Sequence, residues 1–574
     1  MDKNYQKKKR TGNLPPKSKA GSKKNVPVLT ERPATPWNPR VVFGIHAGII
    51  VVFLFILRLN LMDLPLERDE SAYAYLGQRA GEGLAPYRDF YEMKPPFLFY
   101  GYALLNAVFG YSAWGLRLIA WFLSLLICGG VYLIGRSLFG PKYGLLAALT
   151  MVLMSASPYV MMTFAESELL VMSLAIYGVW LLFSLLSQSS SSLQQERLRL
   201  IGAGFLIGSA VMVKQSAVFF LGFAAVALLL LAEGENMRAR LGKLITRGLW
   251  FSLGAIAPVL VCLGMVWGFG VWEDFAFWNF EYPQLYTDGE NVVSWQTLLR
   301  ANFKQLIQDQ IFLWVLAALG LVTSLLQGLD KKRKIALVAL TFFSFLTIVP
   351  GQRFYLHYWI QFVPVVALLL AHLFFQLEKL GQNGRFAGLK NLSLPLGFVV
   401  LFLATGLSAP VLLQGESTSI MRKLFGSNPF VEDEIVARLI ESEIKPNETL
   451  AVLGSEPQIY VYLKRKAPSR HFYTAFLSRQ HRLTRSWHDE ALQGLTTQKP
   501  DYVVFVLMPL SWMLRADSNQ GFYQNAYRWV MENYSPIAWA DYEDKYNPTI
   551  VTDAAASTYK PRGSSYIMVM KRKN

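Results

Sequence analysis

The chain has 574 residues but little of the chemistry that marks a soluble enzyme: two cysteines, six histidines, and 39 acidic residues against 56 basic ones. Cys128 and Cys262 both fall inside long apolar runs, so they read as small core hydrophobes, not as a disulfide or a metal pair. The histidines show no H-x-x-x-H spacing, so local spacing assigns no metal site, and His46 reads as packed within an apolar run. A glycine-rich phosphate loop is missing too, since Gly454 is followed by Ser-Glu-Pro with no further spaced glycines. No repeat of fixed period is visible, and the basic N-terminal stretch is too long for the n-region of a cleavable signal. These absences exclude a disulfide scaffold, a dinucleotide-binding fold and a repeat array.

What the chain has is apolar length. Hydrophobic residues make up 53% and charged residues 17%, with a mean hydropathy of +0.28. The apolar residues come in runs long enough to cross a bilayer, which predicts a polytopic α-helical membrane protein. About eleven spans are expected: Val41–Leu61, Ala113–Ile134, Tyr143–Met162, Leu169–Leu186, Leu200–Val213, Ser216–Ala232, Leu249–Val271, Ile311–Leu326, Ile335–Val349, Tyr358–Phe375 and Leu394–Leu413. Phe97–Phe109 is apolar and aromatic but short, and reads as an interfacial helix. Ser187–Gln195 is a plain linker, and Glu273–Gln310 a long polar and aromatic loop.

The net charge of +17 is unevenly placed. Residues 1–40 hold eleven Lys and Arg against Asp2 and Glu31, which reads as a disordered cytoplasmic tail that touches anionic lipid, not nucleic acid. With the tail inside, the inner loops carry Arg136/Lys142, Arg197/Arg199, Arg238–Arg247, Lys331–Lys334 and Lys379/Arg385/Lys390. The outer loops carry Asp69, Glu70, Glu166, Glu168, Glu273, Asp274, Glu281 and Asp288. This is the positive-inside pattern of a multi-pass plasma-membrane protein. An odd number of spans then puts residues 414–574 outside. There Glu432–Glu443 has helical spacing, Thr449–Leu453 and Tyr502–Leu507 read as buried strands, and Glu456–Lys464 and Leu477–Trp487 read as helices. The expectation is an extracytoplasmic α/β domain after a membrane module at 41–413.

The first outer loop, 62–112, concentrates the polar chemistry. It holds LERDESAYAYLGQRAGEGLAPYRDFYEMKPPFLFY from Leu66 to Tyr100. Asp69 is expected to cap a short helix, Glu70–Ala80, which holds its carboxylate fixed in space. Lys94 precedes Pro95–Pro96, which favours extended geometry and then a helix start. That places Lys94 at the water–lipid boundary, where a snorkelling cation or a lipid-phosphate contact would sit.

These residues resemble a known family. D-E-S-A-Y-A, G-E-G-L-A-P-Y-R-D-F, K-P-P with F-L-F-Y, and Arg117 in G-L-R-L resemble the GT-C glycosyltransferases, nearest to the protein O-mannosyltransferase-like and lipid A aminoarabinose transferase-like branches. The likeness is strongest over about residues 40–235 and continues through F-Y-L-H-Y-W-I-Q-F-V-P at 354–364. It implies a polyprenyl-phosphate sugar donor, an outward-facing site and an extracytoplasmic acceptor, with membrane lipids as surroundings. It implies Asp69 as base with Glu70 beside it, and an acidic residue after the third span; Glu166 or Glu168 fits, and Glu166 is taken as the catalytic one. Lys94 matches the lysine at the donor phosphate, and Lys214 in V-M-V-K-Q a second, although Gln215 stands where many relatives have glycine. Arg353 is expected at the phosphate, with Arg88, Asp89, Tyr355 and His357 at the substrate. Some relatives bind a divalent ion near the acidic loop.

The rival readings are a transporter or flippase of lipid-linked sugars and a non-catalytic scaffold. Transporters place ionisable residues at mid-membrane on broken helices and often show inverted repeats. Here the charged candidates cluster in outer loops. A scaffold gives no reason to gather carboxylates beside the K-P motif.

Overall fold

A computed structural model describes residues 38–187, 192–287, 293–324, 329–382, 386–514, 518–544 and 546–573. The expected disordered tail up to residue 37, part of the Ser187–Gln195 linker, and the topology markers Asp288 and Arg385 lie outside the described residues. By contacts the chain divides into Met1–Ile45 and His46–Asn574. The described part of the first unit is the start of helix α1, Pro39–Arg58, so the helix begins inside the segment expected to be tail.

Every expected span is mainly helical. The order continues α2 Arg68–Gly81, α3 Phe97–Phe109, α4 Ala113–Phe139, α5 Pro141–Ala156, α6 Ser167–Ser187, α7 Leu193–Val213, α8 Phe219–Leu231 and α9 Met237–Phe269. Later apolar helices are Ile311–Ser324, Lys331–Leu346, Val363–Gln382 and Leu389–Gln414. Among the described residues six helices are long and apolar enough to cross a membrane, or up to seven if the bent pair Trp295–Ile307 and Ile311–Ser324 is one span. The expected eleven included runs, such as α5 and α8, that form shorter helices. The chain is a polytopic helical membrane protein with a C-terminal sheet domain.

Two helix starts differ from expectation for local reasons. Helix α2 begins at Arg68, not Glu70, because Glu67 is the cap: its carboxylate accepts from the Asp69 N–H, and Glu70 accepts the Glu67 N–H at 3.1 Å. This reciprocal capping box satisfies the orphan donors of the first turn and leaves the Asp69 side chain unused by the helix. The run at Tyr358 is not yet α-helix. Leu356–Gln361 forms a 3-10 turn, and the α-helix starts at Val363.

The packing of α7 against α9 explains a glycine pattern. Gly204 and Gly208 lie one turn apart on α7, and a Cβ on Gly204 would stand 2.0 Å from the Phe251 carbonyl oxygen of α9. A Cβ on Gly254 of α9 would stand 2.0 Å from the Ile201 oxygen. Small residues let the two backbones approach, the usual basis of tight helix packing in lipid. Gly204→Leu is expected to force α7 and α9 apart at a cost of about 1–3 kcal/mol or more. Gly264→Leu, on an open face of α9, should be silent. Thermal unfolding of the two variants in detergent checks the difference.

The C-terminal domain carries a five-stranded sheet in the order β1-β2-β5-β3-β4, with strands β1 Leu450–Leu453, β2 Tyr502–Leu507, β3 Tyr534–Asp541, β4 Thr549–Thr552 and β5 Tyr566–Arg572. β1 and β2 pair in parallel and the others antiparallel. The expected helix at Leu477–Trp487 instead forms a 3-10 turn at Thr474–Ser478 and a helix at Thr484–Gln498. The expected helix at Glu456–Lys464 is Gln458–Leu463.

This domain grips the first loop through buried polar contacts. The Arg68 guanidinium donates to the Ser455 carbonyl at 2.6 Å and pairs with Glu456 at 2.7 Å. The Tyr462 hydroxyl accepts from the Leu66 N–H at 2.8 Å, and Tyr91, Trp278 and Trp487 stack in one buried pile. Asp69 therefore follows a residue that the C-terminal domain holds directly.

Candidate active site

The site begins with a buried clamp. Glu70 and Arg117 are both closed to solvent and meet as a two-pronged pair at 2.7 and 2.8 Å. Glu70 also accepts the Ala165 N–H at 2.8 Å. Arg117 donates to the carbonyls of Leu64, Pro65 and Thr163. Planar, forked and always charged, arginine suits this role. The clamp joins the first loop to the turn before α6, two segments far apart in sequence. Both Glu70 oxygens, expected at the catalytic centre beside Asp69, are engaged by Arg117, Ala165 and Glu67, an arrangement suited to holding these segments in place.

The clamp brings Asp69 to Glu166. A ligand atom from each of Asp69, Glu166 and His357 lies within 4.8 Å of the others. His357 Nδ1 is 3.8 Å from Glu166, and Nε2 is 4.0 Å from Glu168. Asp69 is half-buried and projects from the first turn of α2; Glu166 is fully buried in the turn before α6. Neither Glu166 oxygen has a hydrogen-bond partner among the described residues. Burial pushes its carboxyl well above the usual range, and the charges of Glu67 and Asp69 add to that. Burial also lowers the His357 imidazole, against the pull of Glu168. An orphaned buried carboxylate beside a carboxylate and an imidazole is a donor set that fits a divalent cation. Local spacing could not show it, because each group comes from a different segment.

Two lysines flank this group. Lys94 pairs with Glu92 at 2.9 Å and lies 4.8 Å over the Tyr73 ring, one helical turn after Asp69. Burial disfavours its charge, but Glu92 and Asp69 outweigh that and hold the ammonium firmly protonated. Tyr87, in a left-handed conformation with φ of 69°, donates its hydroxyl to the Lys94 carbonyl at 2.7 Å and fixes the backbone there. Lys214 ends α7, pairs with Glu168 and lies 4.5 Å over the Tyr358 ring. Gln215 is a link: its amide donates to the Met93 carbonyl at 2.9 Å, joining the two lysine segments. Both Glu166 and Glu168 thus border the group, Glu168 as the partner of Lys214.

The remaining expected residues divide. Tyr355 stacks on His357 at 5.7 Å and belongs to the group. The Arg353 carbonyl accepts from Asn302 at 3.0 Å, and its charge acts on the buried Tyr358 hydroxyl. Arg88 and Asp89 are not brought here. Asp89 accepts the Ala85 N–H at 2.8 Å and pairs with Arg88 at 3.1 Å, so P-Y-R-D-F closes a turn on the other side of α2.

The comparisons agree with this architecture. The family model described as dolichyl-phosphate-mannose-protein mannosyltransferase matches residues 93–262, a stretch that includes Lys94 and Lys214. No curated protein matches. ArnT from Cupriavidus metallidurans, solved bound to undecaprenyl phosphate, superposes with a TM-score of 0.53 at 13% identity, over 91% of this chain and 100% of that one. The chain has the GT-C glycosyltransferase fold. The apo form of the same ArnT gives a TM-score of 0.52 at 12% identity, over 91% and 99% of the two chains. The archaeal oligosaccharyltransferase AglB from Archaeoglobus fulgidus, with an inhibitory peptide and a dolichol-phosphate, gives 0.49 at 12% identity, over 94% and 77%. The GT-C fold and the apolar helices together make the chain a multi-pass membrane protein.

Proposed function

We propose that this GT-C protein moves a monosaccharide from a polyprenyl-phosphate carrier to a hydroxyl of an extracytoplasmic acceptor. The supporting observation is the convergence of Asp69, Glu166 and His357 within 4.8 Å, between the lysines Lys94 and Lys214. A sugar phosphate breaking its anomeric C–O bond passes through an oxocarbenium-like state and leaves charge on the phosphate. Cations aimed at that charge lower the barrier.

In this reading Lys94 and Lys214, with Arg353 nearby, neutralise the carrier phosphate. The acceptor hydroxyl sits on Asp69, which takes its proton as the new C–O bond forms. The old C–O bond breaks with its electron pair on the phosphate, and polyprenyl phosphate departs. The resemblance to inverting relatives makes this a single displacement. A divalent cation held by Asp69, Glu166 and His357 would supply further positive charge to the leaving group. The loops holding these residues, and residues 414–574, face outward because the opposite loops are basic.

Binding of undecaprenyl phosphate to the purified protein in nanodiscs tests the phosphate end alone. Lys94→Ala and Lys214→Ala are each expected to weaken it roughly 10- to 100-fold, the worth of a hydrogen bond to a charged group. Unchanged binding by both variants would move the phosphate elsewhere.

A further inference from the structure

Helix α2 has a second working face. Tyr75, Gln78, Arg79 and Glu82 follow the spacing of one helix face, roughly opposite Asp69 and Tyr73. Against that face the outer domain leaves a cavity of about 300 Å³, walled on its other side by Lys464, Arg465 and Lys466. A second cavity of about 200 Å³ shares Tyr75 and Arg79 with the first and reaches Arg470, Asp89 and Phe472. The two cavities adjoin at that wall and lie along the back of the helix that carries Asp69; together they are called the groove.

The groove is basic. Arg79, Lys464, Arg465, Lys466 and Arg470 meet two carboxylates on its walls, Glu82 and Asp89. Glu82 is shared by Arg79 at 2.6 Å and Lys466 at 3.1 Å. Asp89 is taken by Arg88. Arg470 pairs with Glu490 from outside the groove. Arg465 is pinned by the carbonyls of Lys445 and Pro446, which fix its direction without cancelling its charge. Lys464 is exposed, held in a left-handed conformation with φ of 51°, and has no carboxylate partner among the described residues. Tyr75 stacks on Phe472 at 4.6 Å, and the Tyr111 hydroxyl is buried without a hydrogen-bond partner. Fixed cations, aromatic walls and a spare tyrosine hydroxyl are the chemistry that binds a phosphate- or carboxylate-bearing saccharide.

We infer that the groove between α2 and the Lys464–Lys466 segment is an acceptor subsite that holds an anionic group of a saccharide chain. This rests on the transferase reading, since it gives the acceptor an anchor one helix width from the base. The helix that carries Asp69 thus faces the reacting groups on one side and the acceptor's anionic group on the other. Holding the acceptor by a remote anion orients its hydroxyl without placing charge next to the leaving phosphate.

The test is binding, which needs no transfer. Sodium tripolyphosphate is titrated into the purified full chain in phosphatidylcholine nanodiscs. Saturable binding is expected, at least tenfold weaker in the Lys464→Glu/Lys466→Glu double variant and unchanged in Arg528→Glu, an exposed cation outside the groove. Asp69→Asn should bind as the wild type does, which separates the groove from the catalytic reading. Equal binding by the double variant and the wild type overturns the inference, as does an equal loss in Arg528→Glu. Binding that vanishes when phosphatidylglycerol replaces phosphatidylcholine would assign the groove to a lipid headgroup and overturn the acceptor role.

Discussion

Asp69→Asn is expected to reduce sugar transfer by about 10²- to 10⁴-fold, the range lost with a general base, while the protein still folds and inserts. The two halves of that expectation have separate causes. Asparagine keeps the shape but cannot accept the acceptor's proton. Folding survives because Glu67, not Asp69, caps α2, and no hydrogen bond to the Asp69 carboxylate is found among the described residues. Steady-state transfer rates with matched thermal unfolding curves check both halves. Loss of fold together with activity would make Asp69 a structural residue instead.

Arg117→Ala is expected to have the largest effect on stability. It removes one partner of a fully buried pair and leaves Glu70 charged with no fork to hold it. Breaking such a pair costs about 3–5 kcal/mol, a large part of the roughly 5–15 kcal/mol that holds a native protein together. Arg117→Lys should also be poor, because an ammonium cannot span both Glu70 oxygens and the carbonyls of Leu64, Pro65 and Thr163. The double variant Glu70→Met/Arg117→Met should recover part of the stability by removing the orphaned charge. It should not recover transfer, because the Ala165 N–H and the Glu67 N–H lose the carboxylate that places Glu166 near Asp69. The unfolding midpoints of these variants in detergent check this ordering. An Arg117→Ala protein as stable as wild type would remove the clamp from the account.

Much of this site was legible in the sequence, because its motifs are local. The acidic pair after the first apolar run, the K-P-P start of α3 and the lysine at the end of α7 are each read from a few adjacent residues. Phe97–Phe109 and Tyr502–Leu507 fall at their expected bounds because proline and periodicity mark their ends. The division of labour was not legible. Which carboxylate caps, which clamps and which faces the cleft depends on partners such as Arg117 and Ala165. His357 joins Asp69 and Glu166 only through tertiary folding, so no ligand spacing could announce a metal-type set. Strands β3 and β5 were missed for a related reason. β3 is mixed in polarity, β5 is a short apolar run beside basic residues, and their pairing partners are distant in sequence. Arg88 and Asp89 share the motif of the first loop, yet a turn held by the Asp89 carboxylate keeps them apart from Asp69.

The central claim is that a sugar leaves its isoprenoid carrier at the group built on Asp69. Membranes whose polyprenyl-phosphate sugars carry a radioactive label, fused with vesicles of the purified protein, test it directly. The wild type should drain label from the polyprenyl-phosphate fraction into an acceptor fraction and leave free polyprenyl phosphate, while Asp69→Asn leaves the label where it began. A wild-type protein that never depletes the lipid-linked pool, or an Asp69→Asn protein that depletes it as fast, would contradict the account.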